Sequence, residues 1–311
     1  MELIRGLHNL KNQTGCALTI GNFDGVHAGH QEIIKKLVST AKNLNVPSLV
    51  VSFSVTPESF FGRPKARLSS FRDKHLYLKS LGVDKHLLIR FNRSFSQISA
   101  HSFIEDVLVK KIKVKYCYVG DDFRFGKDRL GDCNMLQEHS ISHGFTVERV
   151  ASVSMDNKRV SSSAIRKLLS LGDFQTAEKL LGRPFAISGR VAHGDKQGRT
   201  IGFPTANISI RRKLSPVLGV FSVLIRINNI TYKGVCNVGK RPTLGGLKVL
   251  LEVFIFDFNQ EIYGSRVTVF FKQKCREEIK FNSLEELKNQ IKKDVKKSKQ
   301  YFQDARIDQS I

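Results

Sequence analysis

The sequence predicts two domains of different fold class: an α/β domain with a parallel sheet, then an antiparallel β-barrel with a C-terminal helix. In the first half of the 311-residue chain, short apolar runs alternate with segments of helical spacing, which is typical of a parallel sheet covered on both faces. In the second half, closely spaced strand-like runs are joined by turns containing Gly or Asn, which indicates a barrel. We place the domains at 1–182 and 183–311.

The strands of the first half are expected where apolar runs end at turn residues, at 16–20, 48–54, 86–91, 116–119 and 145–150. Helices are expected between them, at 30–44, 71–81, 102–112 and 135–143. Two further helices are expected at 161–169 and from Asp173, a natural N-cap, to Gly182. Parallel sheets bind ligands in the loops after the carboxyl ends of their strands, so those loops are the places to look for a site.

The strands of the barrel are expected at 185–191, 219–227, 231–238, 248–256 and 265–271. The final helix is expected to begin at Ser283, because Glu286 follows three residues later in a capping-box pattern. The segment 198–207 lies between two of these strands and is interpreted as a fixed loop.

Composition narrows the class of protein. Hydrophobic residues make up 41% and charged residues 25%, an ordinary globular balance. No run approaches the roughly 20 apolar residues of a membrane helix, and the N-terminus lacks an apolar signal core, so we expect a cytoplasmic protein without a membrane partner. The five cysteines are scattered and form no C-x-x-C pair, which favours reduced thiols over disulfides or a zinc site.

The net charge of +23 is the unusual global feature. It has three readings: binding of nucleic acid, binding of small anions such as nucleotides, or a lysine-rich solvated surface like that of 288–299. No recognition motif accompanies the charge, so we expect no nucleic-acid partner. The sequence leaves a homo-oligomer open.

The loop after the first strand carries the first group of chemically informative residues. Two histidines three positions apart, His27 and His30, share one face of a helix start, glycines let the backbone approach a ligand, and the helix N-terminus offers N–H groups to an anion. The residues expected to bind a triphosphate here are Gly21, Asn22, Phe23, Asp24, Gly25, His27, Gly29 and His30. An H-x-x-H metal site is the alternative, although no third ligand is obvious nearby.

Two later segments could contribute to the same site. Ser161, Ser162 and Ser163 stand at a helix start and Arg166 follows; hydroxyls there cap the helix or bind phosphate, and a guanidinium adds a bidentate donor. The run Val119-Gly-Asp-Asp-Phe-Arg-Phe-Gly126 interleaves aromatic rings with Gly and charge. Such rings could wall a flat ligand or belong to an ordinary core.

Oxygen-bearing side chains mark the second half. The run Gly198-Arg-Thr-Ile-Gly-Phe-Pro-Thr-Ala-Asn207 offers the hydroxyl of Thr205 and the amide oxygen of Asn207, hard ligands that suit Mg²⁺; a structural turn is the alternative. Glu252 lies within an apolar strand, where a carboxylate needs a partner or a function, unless it faces outward.

These motifs resemble one family over nearly the whole chain, in the family's order. Gly21–His30 is similar to the H-x-G-H signature of Rossmann-like nucleotidyltransferases, Val119–Gly126 to a motif of bacterial FAD synthetases, and Gly198–Asn207 to the G-R-x-x-G-F-P-T-A-N motif of riboflavin kinases. The chain is identified as a member of the prokaryotic bifunctional riboflavin kinase/FMN adenylyltransferases. Ser163 stands where the family usually has Thr, and Phe254 where it has His.

The resemblance implies an enzyme that phosphorylates riboflavin to FMN with ATP in the barrel, then adenylylates FMN to FAD in the first domain with release of pyrophosphate. It implies Mg²⁺ as cofactor, with Thr205 and Asn207 as its ligands, and small-molecule flavins and ATP as partners. The catalytic residues it implies are Glu252 as base, His27, His30 and Arg166. Flavin contacts in the first domain would be Phe53, Asp122, Phe123 and Phe125. The ATP and flavin contacts of the kinase would be Gly198, Arg199, Gly202, Pro204, Thr205, Asn207, Asn237 and Arg276.

Overall fold

The computed structural model describes residues 1–11, 13–155, 158–193, 202–210, 212–243 and 246–304. Contacts divide the chain into two compact units, Met1–Lys65 with Phe71–Ser162, and Ala66–Ser70 with Ser163–Ile311. This division differs from a boundary between 182 and 183, which stays a prediction.

The first unit contains a six-stranded sheet in the order β1-β4-β3-β2-β5-β6. Its neighbouring strands all pair in parallel, which confirms the predicted class. The strands are β1 (Glu2–Arg5), β2 (Cys16–Ile20), β3 (Ser48–Val55), β4 (Lys85–Arg90), β5 (Val114–Gly120) and β6 (Thr146–Val150). The short, charged strand β1 was not predicted; it forms at the edge of the sheet by pairing with β4.

Helices cover both faces of this sheet, as a parallel sheet requires. The helices of the first unit are α1 (Ala28–Asn43), α2 (Pro57–Phe60), α3 (Phe71–Ser80), α4 (Arg93–Ser96), α5 (Ala100–Ser102), which continues as a π-helical segment (Phe103–Ile112), and α6 (Cys133–His143). Strand β2 is buried along its whole length. Leu18 packs in the cluster that contains the π-helical segment, whereas Ala17 packs in the cluster that contains α1.

Two short strands and two helices come between the sheet and the barrel. Strands β7 (Ser154–Met155) and β8 (Lys158–Arg159) form an antiparallel pair. Helices α7 (Ser162–Leu171) and α8 (Phe174–Leu181) follow, and Asp173 caps α8 by accepting from the N–H of Thr176, as predicted. Phe174 contacts Phe221 and Phe271 in the second unit, at ring-centroid distances of 5.8 and 5.9 Å, which explains why α8 clusters with that unit.

The second unit contains a closed antiparallel barrel in the order β10-β13-β12-β11-β14-β9. Its strands are β9 (Ala186–Ala192), β10 (Thr205–Ser209), β11 (Gly219–Ile227), β12 (Ile230–Thr243), β13 (Gly246–Ile255) and β14 (Arg266–Arg276). The barrel was predicted, but β10 was not. The interpretation of 198–207 as a loop is wrong from Thr205 onward, because Thr205–Ser209 pairs with both β9 and β13.

A 21-residue helix, α9 (Leu284–Asp304), ends the described chain and packs on the barrel. Phe302 lies in an apolar cluster with residues of β11 and β12, among them Leu224 and Val235. Ser283 caps the helix, because its Oγ accepts from the N–H of Glu286. The carboxylate of Glu286 in turn accepts from the N–H of Asn282. No helix in the described ranges is both long and apolar enough to cross a membrane.

Candidate active sites

His27 stands at the N-terminus of α1 and caps it. Its Nδ1 accepts from the backbone N–H of His30 at 3.4 Å, which satisfies one of the free N–H groups of the first turn. Because Nδ1 is the acceptor, the neutral ring carries its hydrogen on Nε2. His27 therefore carries its ring N–H at Nε2.

His30 stacks on His27, with ring centroids 3.6 Å apart and planes inclined by 17°. Phe23 meets the same ring edge-on at 5.0 Å. The Nδ1 of His30 is buried and has no hydrogen-bond partner in the described part of the chain. Burial, with His27 and Lys74 nearby, holds the pKa of His30 well below its usual range. His30 is thus neutral at neutral pH.

The loop between β2 and α1 curls through left-handed backbone. Phe23, Gly25 and Val26 have φ angles of 46°, 83° and 40°, a region that costs energy for residues other than Gly. One hydrogen bond inside the loop runs from the N–H of Val26 to the carbonyl of Phe23 at 3.3 Å. All the residues predicted to bind the triphosphate between Gly21 and His30 lie in this loop and the first turn of α1.

Among the three serines, Ser162 contacts the loop between β2 and α1, which we call the histidine loop. Ser162, the first residue of α7, donates its hydroxyl to the backbone carbonyl of Asp24 at 2.9 Å, so that end of α7 meets the histidine loop. Ser163 and Arg166 belong to the second unit, and the Nε of Arg166 donates to the carbonyl of Ala66 at 2.6 Å. Phosphate contacts of Ser161, Ser162, Ser163 and Arg166 stay predictions.

Three of the four predicted flavin contacts of the first unit, Phe53, Phe123 and Phe125, lie in an aromatic cluster. Phe123 and Phe125 stack at 5.5 Å, and the buried Phe125 packs on Phe103 at 5.3 Å. The ring of Phe125 therefore belongs to the core, and a flavin contact for it stays a prediction. Phe53 meets Phe91 edge-on at 6.0 Å.

The same cluster also includes exposed aromatic rings that the sequence motifs do not identify. Phe60, which ends α2, lies 5.5 Å from Phe91, and Phe61 is 63% exposed. Asp122 lies on the surface, where its carboxylate accepts from Arg159 at 3.1 Å. A flavin contact for Asp122 stays a prediction.

In the barrel, the register of three strands brings the predicted kinase residues into one row. Asn207 of β10 lies opposite Glu252 of β13, and Glu252 lies opposite Asn237 of β12. Directly opposed residues of antiparallel strands project from the same face. Glu252 is half-buried, with an amide side chain on either side of it.

The row continues across the next two strands. Asn237 lies opposite Val220 of β11, and Val220 lies opposite Arg276 of β14. The guanidinium of Arg276 donates from Nε and NH2 to the carboxylate of Asp294 on α9, at 2.8 to 3.1 Å. This pair is largely buried, with side chains 20% and 7% exposed.

Two cavities adjoin this row and share part of their walls. One, of about 210 Å³, lies between the barrel and α9 and has apolar walls that include Phe203, Phe254 and Ile291. The other, of about 570 Å³, carries cations along its wall. Its basic side chains are His193, Lys240, Arg241 and Lys248. The residues that line both cavities are Thr205, Asn237, Glu252 and Glu278.

The structure describes only some of the remaining residues that were predicted for the kinase site. Gly198 and Arg199 lie outside the described residues. Gly202, with φ 86°, and the exposed Pro204 lead into β10. Among the described residues, no group of three or more His, Cys, Asp or Glu side chains is arranged to hold a metal ion.

The motifs missed several residues that the structure places at these sites. Glu278 lines both cavities, and the cations Lys240 and Lys248 line one of them. Lys74 lies beneath the histidine loop and contacts Asn22. Only Glu278 had a signal in the sequence, because it follows Arg276 in the same short run; the others become visible only through strand register and helix packing.

Comparison with known proteins matches both halves of the chain. A family model described as FAD synthetase matches residues 9–164, and one described as riboflavin kinase matches residues 181–302. The bifunctional riboflavin kinase/FMN adenylyltransferase of Haemophilus influenzae is 49% identical over 306 residues, covering 97% of this chain and 99% of that protein. The protein of the same name from Escherichia coli K12 is 45% identical, covering 97% of this chain and 98% of its own length.

A solved structure extends the likeness to the fold. The crystal structure of a protein described as a macrolide-efflux protein from Streptococcus pneumoniae has a TM-score of 0.78 and 30% identity, covering 94% of this chain and 97% of that one. The order of the two domains and the full-length relatives point to the same family. The chain belongs to the family of bifunctional riboflavin kinase/FMN adenylyltransferases.

Proposed function

We propose that the barrel converts riboflavin to FMN with Glu252 as the base, and that the α/β unit converts FMN to FAD through the loop that carries His27 and His30. Each step consumes one ATP, and the second releases pyrophosphate. The observation that carries the proposal is the position of Glu252, in a wall common to an apolar cavity and a basic one. A phosphoryl donor and a flavin on the two sides of this wall would meet at its carboxylate.

The two cavities differ in the chemistry they offer. The apolar walls of the cavity beside α9 suit the flat isoalloxazine ring, whereas Lys240, Arg241 and Lys248 suit the phosphates of ATP. The terminal ribityl hydroxyl attacks the γ-phosphate in line, and Glu252 accepts its proton as the new bond forms. Asn207 and Asn237, on either side of Glu252, orient the reacting groups.

The residues beside Glu252 fit a magnesium ion. Thr205 and Asn207 lie two positions apart on β10, so they project from the same face as Glu252. Their hydroxyl and amide oxygens, with phosphate oxygens and water, form the kind of hard donor set that Mg²⁺ prefers. When bound, the ion would neutralise charge on the phosphates of ATP. The exposure of Thr205 leaves its hydroxyl accessible for this role.

In the first unit, adenylyl transfer depends on position and charge. The phosphate of FMN is already anionic, so it attacks the α-phosphate of ATP without a strong base, and pyrophosphate leaves. The Nε2–H of His27, the ring N–H of His30 and the N-terminus of α1 donate to the phosphates. Ser161, Ser163 and Arg166 join them as further donors, and Phe53, Asp122 and Phe123 contact the flavin.

The partners follow from these reactions. Riboflavin, FMN, FAD and ATP are the molecules the chain handles, and the positive charge of +23 is compatible with such anions. A cytoplasmic location, where these metabolites and reduced thiols occur together, is part of the proposal. That nucleic acid is not a partner stays a prediction.

Two substitutions separate the reactions. Glu252→Gln keeps the shape of the side chain but cannot accept a proton, so kinase kcat is expected to fall by about 10³-fold while FMN adenylylation stays within about twofold. His30→Ala is expected to do the opposite. Chromatography of riboflavin, FMN and FAD after incubation with ATP and Mg²⁺ measures both reactions.

Glu261→Gln, at an exposed carboxylate in the same unit, is the matched control and should leave both rates unchanged. Kinase turnover by Glu252→Gln at the wild-type rate would show that Glu252 is not the base. Normal FAD production by His30→Ala would remove the histidine loop from the second reaction.

A further inference from the structure

Lys74 is a buried lysine on α3 that lies outside every motif discussed above. Its side chain is 8% exposed, although a buried ammonium is costly unless it is well hydrogen-bonded. The Nζ of Lys74 donates to the backbone carbonyl of Asn22 at 3.0 Å and to the hydroxyl of Ser52 at 3.2 Å. One of these acceptors belongs to the histidine loop itself.

Beyond Lys74, each group in a chain of hydrogen bonds accepts from the group before it and donates to the next. An ammonium only donates, so Ser52 accepts from it and directs its own hydrogen to the Nε2 of His86, 2.7 Å away. His86 then carries its hydrogen on Nδ1 and donates to the Nδ1 of His75 at 3.1 Å. Ser52 and His86 are both fully buried. The chain of acceptors therefore stabilises a positive charge at Lys74.

On its other side, Lys74 holds the loop that we assign to ATP. Asn22 follows Gly21 at the end of β2; its side-chain Nδ2 donates to Glu58 at 3.3 Å, and its Oδ1 is buried without a hydrogen-bond partner in the described part of the chain. Fixing the carbonyl of Asn22 fixes the peptide that leads into Phe23, where the left-handed turn begins.

The charge of Lys74 also reaches the histidines. Lys74 is one of the causes, after burial and His27, that lower the pKa of His30, and it contributes to lowering the pKa of His86 to about 3. With His30 neutral, the ammonium of Lys74 and the N-terminus of α1 supply positive charge beside the loop at neutral pH. Through the side chain of Asn22, the carboxylate of Glu58 is hydrogen-bonded to the same loop.

We propose that Lys74 is a positioning residue for adenylyl transfer: it fixes the histidine loop through the carbonyl of Asn22 and provides a permanent positive charge beneath the ATP phosphates. This inference rests on the proposed function of the first unit. A permanent charge behind the loop strengthens phosphate binding most when negative charge develops in the transition state. Its loss is therefore expected to lower kcat more than it raises KM for ATP.

The test compares Lys74→Met with Lys79→Met in the full-length chain. Both substitutions remove a lysine from α3, but Lys79 is exposed. For Lys74→Met we expect kcat for FAD formation from FMN to fall about 10²-fold while KM for ATP changes by less than about threefold. Kinase rates should be unchanged in both variants.

Several outcomes would overturn the inference. A kcat for Lys74→Met within about threefold of wild type would do so, as would an equal loss from Lys79→Met. If Lys74→Met does not fold, Lys74→Gln, which keeps a side-chain N–H donor but removes the charge, takes its place; an unchanged kcat there would also overturn it. Absence of FAD formation by the wild-type protein would instead overturn the proposed function, so the two failures are distinguishable.

Discussion

At the scale of single residues, the two sites depend on side chains held by neighbours far away in the chain. Glu252 lies between Asn207 and Asn237 on separate strands, and Arg276 is held by Asp294 on α9. The sequence predicted Glu252, Asn207 and the histidine pair because their types and spacing are informative in themselves. It did not predict Asp294 or Lys74, since a Lys or Asp on a helix is usually exposed and only packing shows otherwise.

Replacing Asp294 with Asn should affect both the stability of the barrel unit and its kinase activity. Asn cannot compensate the largely buried guanidinium of Arg276, so we expect a loss of about 2–4 kcal/mol in the free energy of unfolding of this unit. We also expect a higher KM for riboflavin, because Arg276 and Asp294 line the apolar cavity. Hydrogen exchange of barrel peptides and kinase kinetics measure the two effects.

The control for that substitution is Asp304→Asn, at an exposed position on the same helix. Its effect on stability should stay within about 0.5 kcal/mol. Equal effects of the two substitutions would contradict the role assigned to the Arg276–Asp294 pair.

At the scale of helices and strands, apolar periodicity predicted most elements within a few residues of their ends. The strands at 16–20 and 219–227 coincide with β2 and β11. Strands β1 and β10 escaped prediction because they are short and rich in polar residues, and hydrogen bonds to neighbouring strands establish them. Local sequence carries little information about such strands.

Two glycines with positive φ angles differ in their ψ angles, which are 179° at Gly126 and 39° at Gly144, and in the space around them. Gly126 and Gly144 have φ angles of 73° and 66°, but a Cβ on Gly126 would lie 2.6 Å from the backbone of Ala100, whereas one on Gly144 would have no atom within 4 Å. Gly144→Ala should lose about 1 kcal/mol in the free energy of unfolding. Gly126→Ala should lose about 3 kcal/mol, since its backbone lies in a region that is essentially restricted to Gly and overpacking against Ala100 adds to that cost.

Urea unfolding followed by hydrogen exchange of peptides from α5 and α6 measures both losses. Riboflavin kinase activity, which belongs to the other unit, is the internal control and should not change. Equal losses in the two variants would mean that neither the backbone conformation of Gly126 nor its approach to Ala100 adds to the cost.

At the scale of the whole molecule, the sequence predicted two fold classes and their order correctly, because the alternation of strands and helices gives way to strands alone. It could not predict that the short segment Ala66–Ser70 would cluster with the second unit. Arg166 and Arg212 donate to the carbonyls of Ala66 and Arg67, and such side-chain-to-backbone bonds leave no pattern in the sequence. The sequence could not predict the two cavities either, since they arise from strand register.

Acid should destabilise the protein through its buried histidines. Burial, with Lys74 and His75, lowers the pKa of His86 from 6.5 to about 3, so the unfolded chain binds a proton between these pH values and the folded chain does not. Stability contributed by neutral His86 is therefore present above pH 6.5 and is lost as the pH falls toward 3. The loss could approach about 5 kcal/mol at 1.36 kcal/mol per pKa unit.

His86→Gln removes this titration, so its free energy of unfolding should fall less steeply with acid than that of the wild type. Hydrogen exchange of peptides from β3 and β4 across that pH range gives the two slopes. Equal slopes would show that His86 also takes up a proton in the folded protein.

The row from Asn207 through Glu252 and Asn237 to Arg276 has a consequence for how this family can change over time. Side chains alternate between the two faces of a strand, so inserting or deleting a single residue within β12 or β13 would turn every later side chain to the opposite face. A change of this kind in β13, ahead of Glu252, would move its side chain out of both cavities although no functional residue had been replaced. We expect length variation among functional relatives to fall in the turns between strands, or to occur inside these strands by even numbers of residues or through a compensating bulge.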